Sequence, residues 1–120
     1  MTKLLLVDDE KGSRLAIEEY LGARGFEVRS VDNGEDAVTT GLEMVPNVLV
    51  CDWLLPGAVS GLEVVRTLID AFPRLIVLVV TGLPVEEVAR DTKSIEVAAI
   101  LSKPVGLSAL ERAVREAGAC

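Results

Sequence analysis

The sequence predicts an α/β fold, a doubly wound five-stranded parallel sheet with five helices, and three observations carry the prediction. Five short runs rich in Val, Leu and Ile recur along the chain. Helical stretches fill the intervals between them. The length of 120 residues, with 50% hydrophobic content, supports one core and not two. Residues 1–120 therefore read as a single domain with no separate output domain.

The elements follow in order. Leu4–Val7 is an apolar first strand. Lys11–Arg24 follows as a helix with Ile17, Tyr20 and Leu21 on one face, stopped by Gly25, which suits the left-handed position after a helix. Phe26–Val31 alternates Phe26, Val28 and Ser30 with Glu27, Arg29 and Val31, the pattern of an edge strand. Helix Glu35–Met44, strand Val48–Cys51, helix Gly61–Ala71 and strand Leu75–Val80 continue the alternation. Val85–Lys93 is a polar, marginal fourth helix, and Val97–Leu101 is the fifth strand. The last helix, Leu107–Ala117, aligns Leu107, Leu110, Val114 and Ala117 beneath Glu111, Arg112, Arg115 and Glu116. Four strands apolar on both faces imply a parallel sheet covered on both sides. With right-handed crossovers, the flavodoxin-like order 2-1-3-4-5 suits this length and opens a crevice at the carboxyl ends of strands 1 and 3.

Charge and composition remove several functions. Lys and Arg number 12 against 19 Asp and Glu, a net charge of −7, so the chain lacks the basic footprint of a nucleic-acid or anionic-membrane binder. Protein or cation partners fit better. Histidine is absent, which excludes a Ser-His-Asp triad, a Cys-His pair, a His-ligated zinc and an imidazole base. The longest purely apolar run, Leu75–Val80, falls far short of the roughly 20 residues that cross a bilayer, and the segment before Asp8 is too short for a secretory signal. A cytoplasmic location is expected. Cys51 reads as a buried structural thiol and Cys120 as a tail thiol.

The polar residues gather at the strand ends. Asp8, Asp9 and Glu10 follow strand 1, Asp52 follows strand 3, Thr81 and Gly82 follow strand 4, and Ser102, Lys103 and Pro104 follow strand 5. Taken singly, each has an ordinary use: acids before a helix N-terminus, a turn cap, a solvated loop lysine. Their convergence on one edge favours a site. Carboxylates a few Å apart repel by roughly 4 kcal/mol per pair at an effective dielectric near 20, and a divalent cation is the simplest relief. All-oxygen ligation without His favours Mg²⁺ or Mn²⁺. Such a cation beside the Lys103 ammonium and the Thr81 hydroxyl would neutralise a phosphoryl group, for which Asp52 is the nucleophile.

With these residues the chain resembles, over essentially its whole length, the receiver domains of two-component response regulators. In that resemblance Asp8 and Asp9 are the acidic pair, Asp52 the phosphoacceptor, Thr81 the switch hydroxyl and Lys103 the lysine, with Leu55 and Pro56 after Asp52 and a cis-proline turn at Pro104. The resemblance implies metal ligation by Asp8, Asp9, Asp52 and the backbone carbonyl of Leu54. It implies a phosphohistidine donor on a sensor histidine kinase or histidine phosphotransfer protein. It also implies a readout surface of the fourth helix, fifth strand and fifth helix, and allows a phosphorylation-dependent homodimer.

Three departures from the family pattern bear on mechanism. Ile100 stands where receivers usually carry Tyr or Phe, which puts aromatic-switch coupling in doubt. The loop from Pro56 to Gly61 is one residue longer than its commonest form and alters access to Asp52. Leu54 and Leu83 occupy the positions that tune self-hydrolysis, and apolar residues there imply slow dephosphorylation.

Other readings are weaker. Flavodoxin would need a hydroxyl- and glycine-rich phosphate loop where this chain has acids, and neither GxGxxG after strand 1 nor GxxxxGK[ST] occurs. A phosphorylation-independent interaction module, a relay intermediate or phosphate sink, and a receiver excised from a larger protein stay open. Trp53, the only Trp, reads as a packing or partner-contact residue and a natural reporter.

Overall fold

The computed structural model describes residues 1–118. Ten elements alternate: β1 (Thr2–Val7), α1 (Lys11–Ala23), β2 (Phe26–Val31), α2 (Gly34–Met44), β3 (Val48–Asp52), α3 (Gly61–Ala71), β4 (Ile76–Thr81), α4 (Val85–Asp91), β5 (Ala99–Ser102) and α5 (Leu107–Glu116). All four strand pairings are parallel, and the order is β2-β1-β3-β4-β5, the flavodoxin-like order expected from sequence.

The period of two along a strand divides the core between the two faces of the sheet. Leu5, Val7, Leu49, Cys51, Val77 and Val79 pack with Ala37 of α2, Val64, Val65 and Leu68 of α3 and Val88 of α4. Leu4, Leu6, Val48, Val50, Leu78 and Val80 pack with Leu21 of α1 and with Leu110 and Val114 of α5. Each such side chain, fully buried, contributes about 1.5–3 kcal/mol. Register carries the same division across the sheet, pairing Leu6 with Val50 and Val50 with Leu78. Asp8 and Asp52 continue the even-numbered rows beyond Leu6 and Val50.

Helix termini obey local chemistry. Asn33 caps α2 by accepting the Asp36 N–H at 2.8 Å, and Ser60 caps α3 by accepting the Glu63 N–H at 3.2 Å. Gly25 takes φ +98° after α1, as its sequence position predicts. Val45, a β-branched residue at φ 52°, does the same after α2 without glycine's freedom, which sequence reading did not anticipate.

Some boundaries differ from expectation. β5 begins at Ala99 rather than Val97, because the chain leaves α4 through a turn and re-enters the sheet where the Ala98 N–H donates to the Val77 carbonyl at 2.8 Å. It was expected to be covered on both faces. As an edge strand with one partner it has no fully buried residue. β4 begins at Ile76, since the Leu75 N–H closes a turn onto Phe72 at 2.9 Å. α4 stops at Asp91, where the Thr92 hydroxyl bonds the Val88 carbonyl at 2.9 Å. Cys51 is buried and free, while Cys120 lies outside the described residues. Among the described residues no helix is long and apolar enough to cross a membrane.

Gly61 shows how tightly the fold holds the end of β3. A Cβ there would lie 2.7 Å from the Trp53 carbonyl and 2.9 Å from that of Asp52, both backbone atoms that cannot yield cheaply. Gly61→Ala should therefore destabilise the protein by about 1–3 kcal/mol, read from urea denaturation followed by Trp53 fluorescence. A change within about 0.5 kcal/mol, the range of an unconstrained surface site, would contradict this packing.

Candidate functional site

The carboxyl ends of β1, β3, β4 and β5 deliver the expected residues to one edge of the sheet. Asp8 directly follows β1 and is 3% exposed, and Asp52, the last residue of β3, is 4% exposed. Asp9 is exposed. One carboxylate oxygen from each of Asp8, Asp9 and Asp52 lies within 4.8 Å of the others. Lys103 follows β5 and donates from Nζ to Asp52 Oδ2 at 2.9 Å. The Lys103–Pro104 peptide bond is cis, as the resemblance implied.

Backbone hydrogen bonds hold these groups in register. The Asp8 N–H donates to the Val31 carbonyl at 3.0 Å, the Trp53 N–H to Val80 at 2.9 Å and the Lys103 N–H to Thr81 at 2.8 Å. Each strand end is thereby tied to its neighbour just where its functional side chain emerges. Asp8 Oδ1 accepts the Glu10 N–H at 2.9 Å, and its backbone carbonyl accepts from Arg14 at 3.2 Å.

Thr81, Leu54 and Glu10 need separate description. Thr81 is buried at its strand end, but its hydroxyl oxygen accepts the Leu83 N–H at 2.9 Å, and no hydrogen bond joins it to Asp52 among the described residues. Its proton remains available to a further acceptor. Leu54 lies two residues beyond Asp52 and is 63% exposed. Glu10 does not join the acidic cluster. Its carboxylate caps α1, accepting the N–H groups of Gly12 at 2.9 Å and Ser13 at 2.5 Å, so this member of the acidic run has the helix-terminus use. Arg14 escaped sequence reading, for which it is one more helical arginine.

Beneath the acids lies a cleft of about 420 Å³ between α1 and α5. Its floor is Leu6, Val50, Val80 and Leu110, and Asp8, Asp52 and Lys103 stand among its polar groups. This low-dielectric floor governs the electrostatics. Burial is the first cause that pushes the Asp52 carboxyl from 3.8 up to about 7; the Lys103 hydrogen bond opposes it, and the Asp8 charge adds to it. Lys103 is also raised: burial works against its charge, but the Asp52 hydrogen bond and the charges of Asp52, Asp8 and Asp9 outweigh that. Burial likewise drives the Cys51 thiol far upward, with the Asp52 charge behind it, so this thiol is inert. An oxygen-only donor set with excess negative charge fits a hard divalent cation.

A family model for the response regulator receiver domain matches residues 4–115. The chain belongs to the response regulator receiver domain family. The cyclic di-GMP phosphodiesterase of Thermotoga maritima is 34% identical over 116 residues, 95% of this receiver domain and 30% of that protein. The receiver spans less than half the length of the curated relatives it matches. Among solved structures, a DNA-binding response regulator of the LuxR family from Staphylococcus aureus has a TM-score of 0.87 at 26% identity, covering 98% of each chain. A CheY-like receiver domain protein from Methanospirillum hungatei has a TM-score of 0.90 at 22% identity, covering 97% of this chain and 92% of that one, a likeness of fold. Receiver domains hold Mg²⁺ at an acidic pocket, and this chain has an acidic cluster of Asp8, Asp9 and Asp52.

The raised Asp52 carboxyl makes a pH prediction in metal-free buffer. The folded state binds this proton more tightly than the unfolded chain, so the associated stability is fully present below pH 3.8 and is lost as pH rises through about 7. Asp52→Asn should remove that slope and stabilise the protein at neutral pH relative to wild type, measured by urea denaturation at several pH values in EDTA. A destabilised Asn variant with an unchanged pH profile would contradict the electrostatic picture.

Proposed function

We propose that this receiver domain accepts a phosphoryl group on Asp52 from a phosphohistidine of a sensor histidine kinase or histidine phosphotransfer protein. The observation that carries the reading is the Lys103–Asp52 pair at 2.9 Å inside a carboxylate cluster at the sheet edge. In the transfer the donor's N–P bond breaks and a P–O bond to an Asp52 carboxylate oxygen forms. The histidine nitrogen leaves with the electron pair and takes up a proton. Asp8, Asp9, Asp52 and the Leu54 backbone carbonyl would hold Mg²⁺, or Mn²⁺, which supplies positive charge to the phosphoryl oxygens when bound.

The chain's own residues do the remaining work. Asp52 must be ionised to attack, and Lys103 favours that form while its ammonium stands ready for a phosphoryl oxygen. The Thr81 hydroxyl holds its oxygen on the Leu83 N–H and has its proton to offer, so a phosphoryl acceptor there would bias the segment leading into α4. That helix is built to respond: it has seven residues, no side-chain cap on Pro84 and one buried residue, Val88. The switch then controls a target protein in the cytoplasm through α4, β5 and α5, with a homodimer as one phosphorylated form. Ile100, half-buried in β5 against the core, supplies no aromatic ring for the coupling. The chain's net charge of −7 speaks against nucleic acid as its direct partner.

Incubation with acetyl phosphate and Mg²⁺ should add one phosphoryl group, seen by intact-protein mass. Asp52→Ala should abolish the adduct, and Lys103→Ala should slow its formation by about 10²-fold. An adduct that persists in Asp52→Ala would overturn Asp52 as the acceptor, whereas no adduct on the wild type, or partner binding unaltered by that substitution, would favour a phosphorylation-independent module. The phosphorylated protein should also hydrolyse slowly, because apolar Leu54 and Leu83 stand at the two positions that the receiver resemblance assigns to tuning self-hydrolysis; a half-life of seconds would overturn that expectation.

A further inference from the structure

The loop between β3 and α3, residues 53–60, carries the backbone carbonyl expected to complete the metal site, and beyond its ends few contacts fix its shape. Its ends are anchored by Gly61 packed on the Asp52 and Trp53 carbonyls and by the Ser60 cap of α3. Between those ends, among the described residues, one hydrogen bond ties it to another element. The Val59 N–H donates to Glu35 Oε1, in the first turn of α2, at 3.2 Å.

Three neighbours are shaped around that contact. Gly34 abuts the same loop residue so closely that a Cβ would lie 2.3 Å from the Val59 carbonyl oxygen. Gly57 adopts φ +90°, and a Cβ there would come within 3.2 Å of the same Glu35 oxygen that receives the Val59 N–H. Val59 itself packs its side chain against the core face that also holds Trp53. The start of α2 therefore offers the loop both a close backbone contact and a charged acceptor.

We propose that Glu35 is a positioning residue for the metal site, latching the longer loop against α2 so that its backbone is pre-ordered to receive the cation. The proposal rests on the receiver reading of Asp52. Glu35 touches neither the acidic cluster nor the phosphoryl path, and acts through the Val59 amide. Without the latch, ordering the loop becomes part of the cost of binding the cation. With it, the loop is ordered beforehand.

The test is a Mg²⁺ titration followed by Trp53 fluorescence, with hydrogen exchange at the Val59 amide, for wild type, Glu35→Ala and Glu35→Gln. Glu35→Ala should weaken Mg²⁺ binding by roughly 3- to 10-fold and deprotect the Val59 amide, since one charge-assisted hydrogen bond is lost. Glu35→Gln keeps the acceptor oxygen and should restore most of both, and thermal melting without metal should be nearly the same for all three. Equal Mg²⁺ affinity in wild type and Glu35→Ala would overturn the latch. So would a Gln variant as weak as Ala, because the effect would then be long-range charge. If the wild type shows no response to Mg²⁺ by fluorescence or by calorimetry, the receiver reading itself fails and takes the latch with it.

Discussion

Everything at this site depends on a charge imbalance that the fold enforces. Asp52 is buried beside Asp8 above an apolar floor, and among the described residues the Lys103 ammonium is the cation paired with Asp52. Water would relax such an arrangement on a surface, but here the sheet holds the groups together and Leu6, Val50, Val80 and Leu110 keep the dielectric low. The carboxyl answers by holding its proton up to about pH 7. A divalent cation added to the Lys103 ammonium already bonded to it would let it ionise. A pocket with this excess of negative charge is well disposed to accept a cation.

The sheet creates the imbalance through parity. Parallel register places equivalent residues of β1 and β3 side by side, so the rows through Leu6 and Val50 continue to Asp8 and Asp52 on the face shared with α1 and α5. Backbone bonds from Asp8 to Val31, Trp53 to Val80 and Lys103 to Thr81 stop the strand ends from splaying under mutual repulsion. Stability invested in the two core faces is thus converted into a locally unfavourable electrostatic arrangement, a common feature of functional sites. α4 is short and lacks a side-chain cap at its N-terminus, the end nearer Thr81, and this is why the proposed switch is assigned to it.

Much of this was legible in the residues. The apolar runs named all five strands, and their carboxyl ends named Asp8, Asp9, Asp52, Thr81 and Lys103, because a parallel α/β sheet leaves one place where polar strand ends can meet. Residue type and spacing alone could not separate Glu10 from its acidic neighbours, and only the resemblance singled out Asp8 and Asp9. Three consecutive acids look alike in a string, whereas the backbone turns the third onto the Gly12 and Ser13 amides. The Val97 boundary failed because an edge strand has pairing on one side only, and apolar content alone does not reveal where that pairing begins. The Glu35–Val59 contact spans two loops and 24 residues, beyond any local pattern.

The most direct test is the titration of the Asp52 side-chain carboxyl carbon by nuclear magnetic resonance, without metal and at saturating Mg²⁺. Without metal the resonance should titrate near pH 7, and with Mg²⁺ it should move to markedly lower pH as the cation takes the place of the proton. A resonance that titrates in the ordinary carboxylate range, unmoved by Mg²⁺, would contradict the claim that buried, unbalanced charge prepares this aspartate for phosphoryl transfer.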